Sequence, residues 1–343
     1  MARSMADLDW RPTKLATLGA VALCLAASGS LCAQEDDVVY FAHPRLRGET
    51  RIVGQVVEYK GKSLEIRIDG EVRTVAAERV RRIEFRKHAQ HVEGDKLFAA
   101  HDFAEARNRY LKARLAEPRA WVQRLLMAQT VWCDRHLGQF EGAGTRFLDL
   151  LAEDPETPYF EALPIAWLSS PLTPALEAKA TAWLASNQPV PQLLGASHLV
   201  LSRHRSAAMD KLQTLRFHRD TRIAGLAKAQ LWRAELATAS SAQVAQWQIE
   251  AEKIPEPFRA GAYYVIGSAL ARHKQPEEAA LTLLRVPVLY PEDRNLAARC
   301  LADAAALLKG LGRTDEAAHL ERELATRYAE TRDATEAASS QKR

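Results

Sequence analysis

Cysteine is scarce in this chain of 343 residues, which holds four. Cys24 and Cys32 fall in an apolar N-terminal stretch, leaving Cys133 and Cys300 far apart, each in an apolar helical context. That excludes a disulfide scaffold, and the pair reads as buried free thiols. Sixteen glycines and 15 prolines are too few for a low-complexity chain. The formal net charge of +4 is small for this length and gives no general affinity for polyanions. Beyond the N-terminal stretch, no helical segment is long enough, or apolar all round, to span a bilayer. What is present is 47% hydrophobic and 26% charged, enough for a sizeable core and, at this length, for two domains.

The motifs of catalysis are missing too. Ten histidines occur, but none forms H-x-x-x-H or H-E-x-x-H. His88 and His91 could share one helix face, yet no cysteine or clear carboxylate partner accompanies them as metal ligands. "GAGTR" from Gly142 and "GLGR" from Gly310 lack both a phosphate-cradling lysine and a preceding strand. There is no G-x-S-x-G. The carboxylates of "EEA" (Glu277, Glu278) and "DEA" (Asp315, Glu316) sit at helix starts, where capping accounts for them. The sequence therefore implies no enzyme, no catalytic residues, no metal site and no cofactor.

Arg3, Arg11 and Lys14 precede "LATLGAVALCLAASGSLCA", small residues lead to Ala33, and "QEDD" follows. Residues 1–33 read as a signal peptide cleaved near Ala33, with a retained single-helix anchor as the alternative. Leucine precedes both Cys24 and Cys32, where lipid attachment would want a small residue. The expectation is export to the periplasm or cell envelope, or secretion, with no membrane span after cleavage and no nucleic-acid partner.

Residues 34–88 are β-rich. "RIVGQVVEY" and "KSLEIRI" alternate apolar and polar residues around "KGK", Asp69–Gly70 is a hairpin signal, and "EVRTV" and "RVRRIEF" continue to Phe85. The "G-x-V-x-x-Y…L-x-I…V-x-x-I" pattern resembles an SH3-like or Sm-like small barrel. "RVRRIEFRKH", residues 79–88, is the densest basic run. Alternation places Arg79 and Arg81 on one strand face and Arg82 with Glu84 on the other. The run reads as a solvated edge strand guarded by charge, or as a patch for an anionic partner.

From residue 89 to 330 the chain is rich in Ala, Leu, Glu and Arg with helical periodicity. Breaks recur: "HD" at 101, "DPETP" at 154, "SSPLTP" at 169, "NQPVP" at 187, "TASS" at 238, "KIPEP" at 253, "KQP" at 274, "YPED" at 290 and "GLG" at 310. They delimit helices of about 10–16 residues with no strand between them. Trp121, Trp132, Trp167, Trp183, Trp232 and Trp247 read as core wedges between helices. Residues 331–343 have almost nothing to bury and are expected to be disordered.

Two stretches share one form: glycine, eleven residues, alanine, eleven residues, proline. They give Gly94, Ala106, Pro118 and Gly267, Ala279, Pro291. The central break lets two helices fold back on each other. Asp102 can cap the second helix, with Glu105 three residues on; Pro276 can open its counterpart. The glycine admits close approach, the alanines face the partner helix, and Tyr110 and Leu283 lie one turn further along. With Ala113, these residues resemble the tetratricopeptide repeat. Tyr263 and Ile266 also fit, whereas Val286 replaces an alanine. A degraded third copy aligns Ala317 with Ala279, lacks the proline and carries Glu321 at the aromatic position. Residues 119–256 show no clean motif and are assigned to divergent repeats by analogy.

The expected fold is mainly α: a solenoid of tetratricopeptide-like hairpins behind a small all-β domain. The resemblance implies a non-enzymatic scaffold binding a protein or peptide in a concave groove. Carried over position by position, it places His91, Asp95 and Phe98 in the groove from the first copy, and Tyr264, Ser268 and Arg272 from the second. The alternatives are a cell-envelope glycan hydrolase built on a helical superhelix, which would need a convergent acid pair in a deep cleft, and a β domain that itself binds glycan or a membrane surface.

Overall fold

A computed structural model describes residues 36–42, 48–169 and 171–341, so the signal-peptide reading lies outside the described residues. Contacts divide the chain into two compact units that meet between Lys87 and His88.

The first unit is an antiparallel sheet of five strands: β1 (Asp37–Ala42), β2 (Glu49–Lys60), β3 (Ser63–Ile68), β4 (Glu71–Ala76) and β5 (Val80–Glu84), in the order β4-β3-β2-β1-β5. Alternation buries one face, on which Val39, Val56, Tyr59, Leu64, Ile66, Val75 and Val80 converge. The β2–β3 turn uses Gly61, and the β3–β4 turn uses Asp69 and Gly70; all three have positive φ, as a tight primed hairpin turn requires. A 3-10 turn, Ala77–Arg79, carries the chain from β4 to β5. The sheet is not closed into a barrel: β4 and β5 remain its two edges. β1, which the sequence pattern did not single out, is a central strand, and its Asp37 is buried with Oδ2 accepting from the Val56 amide at 2.8 Å.

The second unit is helical. Its helices are α1 (Ala89–Ala99), α2 (Phe103–Ala116), α3 (Ala120–His136), α4 (Phe140–Glu153), α5 (Pro174–Leu184), α6 (Pro189–Leu199) and α7 (Arg205–Leu215). There follow α8 (Thr221–Glu235), α9 (Ser241–Ala251), α10 (Ala260–Arg272), α11 (Pro276–Leu289), α12 (Arg294–Gly310), α13 (Thr314–Arg327) and α14 (Arg332–Gln341). None of the described helices is long and apolar enough to cross a membrane. The tail expected to be disordered instead forms α14. Thr331 and Ala334 are buried, Asp333 lies 3.5 Å from Arg299, and small side chains let this last helix settle on α12.

Four helix pairs, α1/α2, α3/α4, α10/α11 and α12/α13, are joined by three-residue turns of one design. His101, Gly138, Lys274 and Gly312 are left-handed, with φ of 64°, 69°, 59° and 77°. The amide of the following residue reaches back five positions: Asp102 to Leu97, Gln139 to Asp134, Gln275 to Leu270 and Arg313 to Leu308, at 2.8–3.0 Å. This is the Schellman closure, which satisfies carbonyls the helix end would leave bare. It explains the "HD" and "KQP" breaks. Asp102 then caps α2 by accepting from the Glu105 amide at 3.2 Å.

The paired helices approach through notches. A Cβ on Gly94 would stand 2.7 Å from the Tyr110 ring, and one on Gly267 would stand 2.6 Å from Leu283. Ala106, Ala113 and Ala279 are fully buried between the helices, and Ala317 nearly so. Pro118 and Pro291 lie just past the ends of α2 and α11. The six tryptophans are all buried, with Trp232 and Trp247 stacked at 5.7 Å. Cys133 and Cys300 are buried free thiols, each pushed up in pKa by burial. Asp134 of α3, with no exposed surface, accepts from Arg107 of α2 at 2.7 Å and also from Arg146 of α4.

Candidate functional site

Alternate helices α6, α8, α10, α12 and α14 pack side by side in that order and form one wall of the helical unit. Between α4 and α5 runs a connection of 20 residues, 154–173, whose described part holds only one short 3-10 turn, Phe160–Ala162. Connections this long are uncommon in compact folds unless they have a task. Here residues 163–168, Leu-Pro-Ile-Ala-Trp-Leu, lie against the wall in neither helix nor strand, with a tight turn at Pro164 where the Ile165 amide donates to the Leu163 carbonyl at 2.9 Å. Leu163, Ile165, Ala166 and Trp167 are all buried, although none is in a helix or strand.

Side chains of the wall hold that segment by its backbone. Gln230 on α8 donates Nε2–H to the Ala166 carbonyl at 2.9 Å. Arg233, one turn on, donates to the Leu168 carbonyl at 3.3 Å and to the Ser197 carbonyl of α6 at 2.9 Å. The Ala166 amide donates to Ser197 Oγ at 3.3 Å. His198 lies 3.2 Å from the Pro164 carbonyl, so its Nε2 carries the hydrogen, and burial lowers its pKa to about 4. Ser197 and Gln230 are fully buried. Burial also draws Arg233 down to about 10. Buried groups of this kind must find partners, and the segment supplies them. Trp167 packs onto the start of α10 where Gly261 leaves a notch; a Cβ there would fall inside the indole.

A small cavity lies against the segment, of about 50 Å³, lined in part by Trp132, Arg135, Phe258, Tyr290, Glu292 and Asp293. Arg135 is clamped there, donating to Asp293 at 2.9 Å and to the Glu161 carbonyl at 2.9 Å, with its guanidinium 3.9 Å from the Trp132 ring centroid. Burial raises Glu292 to about 7, and the nearby Asp293 and Glu161 charges push the same way against Arg135. Its Oε2 is buried without a hydrogen-bond partner among the described residues.

The six groove residues expected from the sequence divide into two sets. His91 is fully buried, edge-on to Tyr110 at 5.9 Å, and presents no surface. Asp95 accepts from Tyr110 at 3.0 Å and from Gln129 of α3 at 3.3 Å. Phe98 packs on Phe103 and His136, at 5.2 and 5.6 Å. These three are turned into α2 and α3, because α1 needs that face to dock. Tyr264, Ser268 and Arg272 do share one face of α10, four residues apart; the first two are half-buried and Arg272 is exposed. The Ser268 hydroxyl bonds the Tyr264 phenol, which Arg299 and Asp303 of α12 also approach.

Sequence reasoning missed the residues that grip the segment: Ser197, His198, Gln230, Arg233 and Gly261. One signal was available. "LPIAWL" is an apolar run with a tryptophan and an internal proline; it lies between the breaks at 154 and 169, where a helix was expected, and the structure holds only the 3-10 turn Phe160–Ala162 there, since Pro164 cannot donate to a helix ladder.

On the sheet, the basic run is largely absorbed. Arg82 stacks 3.6 Å from the Tyr40 ring centroid and pairs with Glu84 and Glu49. Arg79 lies over Phe41 and donates to the Ala42 carbonyl at 3.2 Å. His88 caps α1, its Nδ1 accepting from Gln90 at 3.1 Å. Among the described residues no cluster of three potential metal ligands occurs.

No family model, no curated protein and no solved structure matches the chain.

Proposed function

We propose that the chain is an exported, non-enzymatic scaffold that binds an extended protein or peptide segment along the wall of α6–α14, a tetratricopeptide-like solenoid face. The observation that carries this reading is that the wall already holds an irregular peptide segment by its backbone: Ser197, Gln230 and Arg233 bond the main chain of residues 163–168. Backbone bonding of this kind supplies affinity without reading sequence, and notches such as that at Gly261 supply selectivity. One departure from the family stands. Equivalent turns recur after 37 residues (Leu97 to Asp134) and 38 residues (Leu270 to Leu308), longer than the tetratricopeptide period of about 34. The sheet, with its 3-10 turn before the last strand, is an SH3-like module left open, and we assign it a supporting role.

The test is affinity isolation with the full chain and with its Tyr264→Ala and Arg272→Ala variants. The reading expects a partner whose recovery falls at least tenfold in the variants while melting is unchanged. Recovery that survives both changes but is lost on charge reversal at Arg81 and Arg82 would move recognition to the sheet.

The hydrolase alternative has one observation in its favour, a buried acid of raised pKa, Glu292, close to Asp293 and Glu161. Against it stands the cavity of about 50 Å³, far below the several hundred Å³ of ligand pockets. Turnover of cell-wall glycan by the wild-type chain and its loss in Glu292→Gln would establish the hydrolase.

A further inference from the structure

We propose that residues 163–168 are a resident ligand in cis, and that the partner is a peptide of the same chemistry, aliphatic–Pro–aliphatic–small–aromatic, which takes the wall when this segment leaves. The inference rests on the reading that the α6–α14 wall binds peptides, and adds which peptide and at which place.

Three independent features lead there. The first is backbone economy. A loop ordinarily satisfies its amides and carbonyls with its own turns or with water, since most loops run over the surface. Residues 163–167 run buried; besides two turn bonds of its own, Leu163 amide to Phe160 carbonyl and Ile165 amide to Leu163 carbonyl, the segment has the carbonyls of Pro164, Ala166 and Leu168 and the amide of Ala166 each met by a side chain from α6 or α8. The second feature is shape. Gly261 is the second residue of α10, and any side chain there would occupy the place of the Trp167 indole. The notch is therefore matched to a flat aromatic ring. The third is the tether. Residues 154–173 are much longer than the three-residue turns elsewhere in the unit, and Ser169 beyond the segment is exposed. A long tether lets the segment depart without unwinding α4 or α5.

The wall does not end where the segment does. Arg233, which holds the Leu168 carbonyl, also stands near the Tyr264 phenol, the start of the polar track Tyr264, Ser268, Arg299 and Asp303. A peptide seated in the notch would continue over these groups, whose two charges neutralise each other: Arg299 donates to Asp303 at 3.0 Å. The extension therefore suits polar uncharged residues after the aromatic one.

The experiment uses a fluorescent synthetic peptide, Ala-Leu-Pro-Ile-Ala-Trp-Leu-Ser, and the full chain. Trp167→Ala weakens the resident segment and leaves the notch open, so this variant should bind the peptide at least tenfold more tightly than wild type. Adding Gly261→Ala to that variant fills the notch and should abolish the gain. Replacing the peptide's Trp by Ala should do the same. If Trp167→Ala melts cooperatively and yet binds no more peptide than wild type, the proposal is wrong. If it binds other extended peptides from a random library at the same wall but not this one, the specificity proposed here fails while the peptide-binding reading survives. Should Trp167→Ala not fold, Ala166→Cys in the otherwise intact chain replaces it. Its thiol should react with a labelling reagent at least tenfold faster than the buried Cys133 and Cys300 under native conditions. Equal rates would mean that the segment is a fixed part of the core.

Discussion

The two kinds of helix connection in this molecule are built on different physics. At α1/α2, α3/α4, α10/α11 and α12/α13, a left-handed residue and one backbone bond close each turn in three residues. The closing bonds are local, although distant groups also reach these helix ends: Asn295 donates to the Arg135 and His136 carbonyls at 3.4 and 3.3 Å, and His273 lies 2.9 Å from the Ala239 carbonyl. Between α4 and α5 the chain takes residues 154–173, and its buried part is held by side chains of α6 and α8, which follow it in sequence, and seated in the notch that Gly261 leaves on α10. The comparison teaches that the regular pairs are scaffold, whereas the irregular stretch is where this fold spends buried polar groups on a peptide backbone.

The largest effect that could break the contrast comes from Gly261→Val. It places two methyl groups where the Trp167 ring lies and should destabilise by about 3 kcal/mol or more, lowering the melting temperature by about 6–12 °C. An unchanged melt would mean that the segment is not seated there. Next is Gln230→Ala, which leaves the buried Ala166 carbonyl unpaired and should cost about 1–3 kcal/mol in chemical denaturation.

Glu292 gives a pH-dependent prediction. Its folded pKa is raised to about 7 from the usual 4.5, so the neutral form is favoured in the fold. Stability tied to it is fully present below about pH 4.5 and is lost as pH rises through about 7. Glu292→Gln should thus stabilise the protein by about 1–3 kcal/mol at pH 8 and by nothing at pH 4. A constant difference across that range would contradict the assignment. The smallest effects sharpen the scaffold side. Gly138→Ala forces a Cβ onto a left-handed residue and should cost about 1 kcal/mol, while Lys274→Gly should gain a similar amount by relieving the same strain. Opposite signs in thermal melts of these two variants are the expected outcome.

Much of the scaffold was legible in the sequence because its determinants are local. Gly94, Ala106 and Tyr110 announce a notch, a small facing residue and its filler, and all three meet in the fold. Asp69–Gly70 announces a hairpin for the same reason. What stayed hidden depends on distance. A segment fixed by Gln230 and Arg233 carries no signal of its own, so residues 163–168 fell in the interval between "DPETP" and "SSPLTP" that the sequence assigned to a helix, and Trp167 read as an ordinary core wedge. Of the first groove triad His91 is enclosed, and Asp95 and Phe98 are half-buried against α2 and α3, because the family pattern does not say which face α1 needs for docking on α3. α14 was missed because its few small apolar residues matter only once α12 is beneath them. The sequence set Arg82 beside Glu84 but not beside Tyr40 and Glu49, because these two lie on other strands.

Native-state hydrogen exchange across the helical unit of the full chain tests the central claim most directly. If residues 163–168 are a peptide lodged on a preformed wall, their amides exchange through local opening at least tenfold faster than those of α8 and α10, with the wall helices still protected. If the segment and the wall helices exchange together, only through global unfolding, residues 163–168 are core and the account of a peptide-holding wall is contradicted.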